Sequence, residues 1–130
     1  MTHEPPADLP SPRLRLRLVF GEGAMLGPGK AELLELIAET GSISQAGRRM
    51  GMSYKRAWML VETLNSIFAG PLVESSRGGA SGGGATLTPA GHAVLRHYRD
   101  LEAHAARAGN EEIEAIRAML KRPDDMSKEK

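Results

Sequence analysis

Arg48, Arg49, Lys55 and Arg56 place four cations in a short stretch with no acid among them, and Tyr54 and Trp58 stand beside them. The whole chain has a net formal charge of only +1 and five aromatic residues, so both features are local. Such a cluster can neutralise a polyanion such as a phosphate backbone, with the aromatic rings adding apolar contact. On charge alone, a solvated helix face fits equally well. The acids gather elsewhere, from Asp100 onward, at Glu102, Glu111, Glu112, Glu114, Asp124 and Asp125.

Other chemistries fail on spacing. Gly29-Lys30 has the form of the end of a phosphate-binding P-loop, but that motif needs glycine at position 24 and Ser or Thr at 31, and both positions are alanine. The glycine-rich stretch 78–84 carries no lysine. His3, His92, His97 and His104 lack the i, i+4 pairing of a helical zinc site, and the pair seven apart, His97 and His104, reads as a wet helix face. Without cysteine, thiolate chemistry and disulfides are excluded, and nothing argues for an oxidising compartment. No nucleophile stands in register with a base. The expectation is a protein that is not an enzyme and takes no metal and no cofactor.

The elements that position the cations follow from periodicity. Met1–Pro12 is polar, contains four prolines and reads as a disordered leader without a signal-peptide core. Arg13–Leu18 alternates arginine and leucine, the pattern of a half-buried strand. Residues 21–29 hold four glycines and a proline and read as a turn region. Leu33, Leu34 and Ile37 then take helical spacing, closed by Gly41. Ser42 is an N-cap candidate before Ile43, Ala46 and Met50, a short helix ended by Gly51. Ser53 is a second N-cap candidate, before an apolar stripe of Ala57, Leu60, Val61, Leu64 and Phe68.

Pro71 stops that helix, and Leu72–Glu74 and Ala85–Leu87 are short strand candidates around residues 78–84, five of which are glycine. That loop reads as a flexible linker, a phosphate cradle or a wing between antiparallel strands; the flanking strands favour the wing. Thr88-Pro89 is a strong helix start, and Val94, Tyr98, Leu101, Ala105 and Ala108 follow at spacings of 4, 3, 4 and 3, a coiled-coil-like seam. Asn110 is the N-cap candidate of a last amphipathic helix with Ile113, Ile116 and Leu120, ended by Pro123. The order is that of an α+β winged helix-turn-helix. With 130 residues there is room for one domain and an appendage: leader 1–12, winged helix 13–108, extra helix 109–122 and disordered tail 123–130.

In such a fold the first turns of the second helix enter the major groove of double-stranded DNA. Ala57, Leu60, Val61 and Leu64 facing inward turn Tyr54, Lys55, Trp58, Met59 and Glu62 outward. Lys55 and Arg56 can reach phosphates or guanine edges, and Tyr54 and Trp58 can touch thymine methyls or sugars. The competing reading makes Trp58 a core anchor. The residues expected at DNA are Ser44, Gln45, Arg48 and Arg49, then Ser53, Tyr54, Lys55, Arg56, Trp58 and Met59, with Arg77 at the base of the wing.

Gly41-Ser42-Ile43-Ser44-Gln45, Ser53-Tyr54-Lys55-Arg56-Ala57-Trp58, Leu72-Val73-Glu74 and the run Gly82–Gly91 resemble the DNA-binding domain of the ModE family of molybdate-responsive transcriptional regulators. The likeness spans about residues 14–105. The helix-turn-helix is also distantly similar to that of LysR-type regulators, including the Pro71-Leu72 entry to the wing. The resemblance implies a winged-helix homodimer on a roughly palindromic operator, linked to molybdenum metabolism. Dimerisation is expected through Leu14, Leu16, Leu18, Val94, Tyr98, Leu101 and Ala105. The family's C-terminal molybdate-binding domains carry a Ser-Ala-Arg-Asn stretch that this sequence lacks, so a standalone DNA reader is expected, with an oxyanion effector left open. No apolar run reaches the roughly 20 residues that span a bilayer, and a cytoplasmic location is expected. The rival reading is a protein-interaction adaptor of the same fold that modulates another regulator.

Overall fold

A computed structural model describes residues 12–76 and 84–121. The expected leader (apart from Pro12), the tail from 123, Arg77 and most of the glycine loop lie outside the described residues.

The chain enters through a hairpin, β1 (Leu18–Gly21) antiparallel to β2 (Ala24–Leu26), with Leu18 opposite Leu26. The expected strand over Arg13–Leu18 is corrected here: residues 12–17 are irregular, and the strand begins where the leucine–arginine alternation ends. A strand needs a partner ladder, and β2 offers only three residues, reaching back no further than Leu18. The region 21–29, read as turns, holds that second strand. Its true turn is Glu22-Gly23, where Gly23 takes a left-handed φ of +70°.

Three helices follow: α1 (Pro28–Thr40), α2 (Ile43–Arg49) and α3 (Tyr54–Ile67). Pro28 sits in the first turn of α1, where its missing N–H costs nothing. Gly41, at φ +70°, ends α1 by donating its N–H to the Ile37 carbonyl at 2.8 Å. Ser42 then caps α2, its hydroxyl accepting from the Gln45 amide at 3.0 Å. α2 stops at Arg49, with Met50 as its cap. Ser53 caps α3, accepting from the Arg56 amide at 3.1 Å. Both serines expected as caps are caps.

The wing strands β3 (Val73–Ser76) and β4 (Gly84–Leu87) pair antiparallel, with Val73 opposite Leu87 and Ser76 opposite Gly84. The Ala85 amide donates to the Gly41 carbonyl at 2.9 Å, so β4 is pinned to the corner between α1 and α2. Thr88 starts α4 (Pro89–Ala108): its hydroxyl accepts from the Gly91 amide at 3.0 Å and donates to the Pro71 carbonyl at 2.8 Å. Gly91 lies against the Leu72 carbonyl, a closeness that any side chain there would prevent.

The core joins these elements. Leu33, Leu34, Ile37, Leu64 and Leu72 are fully buried and pack with Ala57, Val61, Val73, Leu87 and Tyr98. Each large aliphatic side chain so buried contributes about 1.5–3 kcal/mol.

The chain divides into two compact units. Residues 15–100 form the winged helix. Among the described residues, the other unit holds 101–121, with the end of α4 and α5 (Asn110–Ala118), together with 12–14. α5 has no buried residue and ends four residues short of the expected boundary at 122. Its cap is Gly109 and not the expected Asn110, which is already the first helical residue, because the Ile113 amide bonds back to the Gly109 carbonyl.

Candidate nucleic-acid interface

The relation between α2 and α3 is fixed by small residues. A Cβ on Gly47 would lie 2.8 Å from the Cβ of Ala57, closer than two carbons can stand, so the helices touch at a point that only glycine permits. Gly51, at φ +74°, makes the turn between them, and the Met52 amide donates to the Gly47 carbonyl at 3.0 Å. With Ala57, Val61 and Leu64 buried, the opposite side of α3 must face solvent.

That side carries the residues singled out from the sequence. Tyr54 is 56%, Trp58 43% and Met59 54% exposed, and Lys55 and Arg56 are exposed beside them. Trp58 is therefore not a core anchor. On α2, Gln45, Arg48 and Arg49 are exposed and Ser44 is half-buried. Arg49 faces Glu39 at 3.5 Å, a loose surface pair worth little in water. Ser53 is exposed, but its hydroxyl is engaged as the α3 cap. Arg77 lies outside the described residues.

Tyr54 and Ser44 share a notch of about 240 Å³ with Ser42, Ile43, Ser75, Ser76 and Gly84. The start of α2, the start of α3 and the base of the wing meet there. Five hydroxyls line the notch, four from serines and one from Tyr54, a set of donors suited to phosphate oxygens. Ser75 and Ser76 were not singled out from the sequence. Two serines in a short strand carry no signal until the fold brings that strand beside the start of α2.

Asn65 escaped the sequence reading too. Its Oδ1 accepts from the Leu72 amide at 2.8 Å and the Val73 amide at 3.1 Å, and its Nδ2 donates to the Val73 carbonyl at 3.1 Å. It latches the last turn of α3 to the start of the wing. The available signal was a polar residue inside the stripe Val61, Leu64, Phe68, just ahead of Pro71.

Among the expected dimer residues, Tyr98 is only 2% exposed, and its hydroxyl donates to the Leu16 carbonyl. It serves the core of its own chain, a correction to its place on an intermolecular seam. Leu16, Leu18, Val94, Leu101 and Ala105 are half-buried, and Leu14 is at the margin of exposure.

Residues 29–92 match the family described as bacterial regulatory helix-turn-helix protein, lysR family. The segment is similar to lysR-type helix-turn-helix domains. Its boundaries run from the first turn of α1 into α4, and so enclose both helices of the motif and the wing. The DNA-binding domain of CbnR, solved in complex with DNA, superposes on the chain with a TM-score of 0.53 at 26% identity, covering 68% of this chain and 95% of that one.

Relatives of the chain in sequence carry molybdenum-linked names. The molybdenum-pterin-binding protein MopB of Rhodobacter capsulatus is 46% identical over 85 residues, 65% of this chain and 32% of MopB. The molybdenum transport protein ModE of Herbaspirillum seropedicae is 47% identical over 70 residues, 54% of this chain and 26% of that protein. The DNA-binding transcriptional dual regulator ModE of Escherichia coli K12 is 42% identical over 83 residues, 64% of this chain and 32% of that regulator. The chain spans about a third of the length of these relatives, and the likeness to the ModE family drawn from Ser53–Trp58 and the wing agrees with them. Among the described residues, no helix is long and apolar enough to cross a membrane.

Proposed function

We propose that this protein is a ModE-like, DNA-binding transcriptional regulator that reads double-stranded DNA with the first turns of α3. The observation that carries the reading is the outward display of Tyr54, Lys55, Trp58 and Met59 on a helix locked in place by the Gly47–Ala57 contact. Leaving a tryptophan, a tyrosine and a methionine in water on one short surface is costly, and the cost is recovered when base edges and sugars cover them. Lys55, Arg56, Arg48 and Arg49 neutralise phosphates, and Gln45 and the hydroxyl notch around Ser44 place the backbone of one strand. Arg77, which follows Ser76 in the sequence, supplies a further cation for the DNA backbone in this reading.

The regulator acts as a homodimer, with half-sites about one or more turns of roughly 10 bp apart. The residues expected to pair are Leu16, Leu18 and Val94 in the winged helix and Leu14, Leu101 and Ala105 in the other unit. The molybdenum-linked relatives support a role in molybdenum metabolism, and the reading is of a cytoplasmic regulator without catalysis. Titrating labelled promoter DNA from molybdate-transport genes against a scrambled duplex tests the reading. Preference for the promoter supports it, and equal weak affinity for both speaks against it.

One feature favours the adaptor reading: α5 and the residues after it leave Ile116, Met119 and Leu120 exposed, as a surface for another protein. Binding of promoter DNA only when a second regulator is present would favour that role.

A further inference from the structure

On the flank of α3 away from Tyr54, a notch of about 230 Å³ opens between the start of α1 and the α2–α3 turn. Three cations line it, Arg17, Lys30 and Arg56, and no carboxylate does. Its apolar lining is Met25, Met50, Met52 and Leu60, all half-buried. Lys30 is held in place by donating to the Met25 carbonyl at 2.9 Å. Gly27 keeps the floor open: a Cβ there would lie 3.3 Å from the Met25 sulfur and 3.8 Å from Cγ of Arg17.

We propose that this notch binds a small organic anion, a single carboxylate on a compact apolar body such as one aromatic ring. The charge and the lining each fix half of that chemistry. Three cations gathered without an acid repel one another, and an anion among them removes the repulsion. An inorganic oxyanion or a bare phosphodiester would satisfy the cations but leave three methionines and a leucine against water. A neutral apolar molecule would do the reverse. Methionine is the side chain best able to adjust to a ring, through its unbranched stem and polarisable sulfur. The volume sets the size, since a cavity of roughly 150 Å³ takes benzene and drug-sized sites begin at roughly 300 Å³. Because Met50 and Met52 belong to the turn that joins α2 to α3, a ligand here touches the hinge of the helix-turn-helix directly.

The methionines report on the site. The full-length chain, labelled at its methionine methyl groups and free of DNA, is titrated by NMR with salicylate, with sodium sulfate and with benzyl alcohol. The expected result is a common saturable shift of the Met25, Met50 and Met52 methyls with salicylate, while Met119 stays still and the other two solutes give no saturable shift. In the Arg17→Gln/Arg56→Gln variant, both positions being exposed, the salicylate affinity should fall about 10-fold or more, the loss expected of a charge-assisted hydrogen bond. Equal shifts with sulfate, equal shifts with benzyl alcohol, or equal movement of Met119 would each overturn the proposal. So would an unchanged affinity in a folded variant. The comparison of the three solutes stands on its own should the variant fail to fold. The titration contains no DNA, so its failure leaves the DNA reading untouched.

Discussion

Gly47 and Ala57 bring α2 and α3 together so closely that a single methyl group on Gly47 would fall 2.8 Å from the Ala57 Cβ. The display of α3 depends on this contact. Alanine is otherwise worth about 1 kcal/mol more than glycine inside a helix, so propensity alone favours Gly47→Ala. Overpacking costs about 1–3 kcal/mol and opposes it. The clash should win, because both partners belong to backbone-anchored helices that cannot turn aside as a side chain can. Urea unfolding should therefore show Gly47→Ala less stable than the parent, and Gly47→Val less stable again.

Asn65 offers a second test. In Asn65→Leu the amides of Leu72 and Val73 lose the oxygen that accepts from them. A buried donor left without a partner costs about 1–3 kcal/mol. The melting temperature should fall accordingly, and amide exchange at Leu72 and Val73 should speed up more than exchange in α1.

Tyr98→Phe removes the hydroxyl that donates to the Leu16 carbonyl and leaves the ring in the core. Leu16 is only half-buried, so water can take over, and the loss should stay near the lower end of about 0.5–1.5 kcal/mol. The sharper readout is local. Trypsin should cleave after Arg15 and Arg17 faster in the variant, because the segment has lost its tie to α4.

Glu35 and Arg99 form an ion pair of 2.7 Å, with the carboxylate side chain 46% exposed. Solvent screening limits such a pair, so Glu35→Gln should cost less than about 1 kcal/mol, and the difference should shrink in 1 M salt.

Periodicity and end signals carried most of the fold. Ser42, Ser53, Gly41 and Thr88-Pro89 mark helix boundaries through local chemistry, which a sequence displays directly. The misreadings came where distant residues decide. Arg13–Leu18 has a strand's alternation but no ladder to join, whereas Ala24–Leu26 is a strand because Leu18 finds Leu26 opposite it. Tyr98 sits at seam spacing on α4, and only the fold shows that the irregular segment around Leu16 already covers it. Among the candidate interface residues, those on α3 were legible because a buried stripe defines its opposite face. Ser75 and Ser76 were not, since their neighbours in the notch include Ser42, Ile43 and Ser44, more than 30 residues away.

Fluorescence anisotropy with promoter DNA across a salt series shows whether the exposed face of α3 meets DNA. Lys55→Ala and Trp58→Ala, both at exposed positions, should leave stability within about 0.5 kcal/mol. Lys55→Ala should weaken binding and lower the slope of log K against log salt by about one unit, as the loss of one phosphate contact requires. Trp58→Ala should weaken binding with the slope unchanged, because it removes apolar contact and no charge. Parental affinity and slope in both variants would take α3 off the DNA.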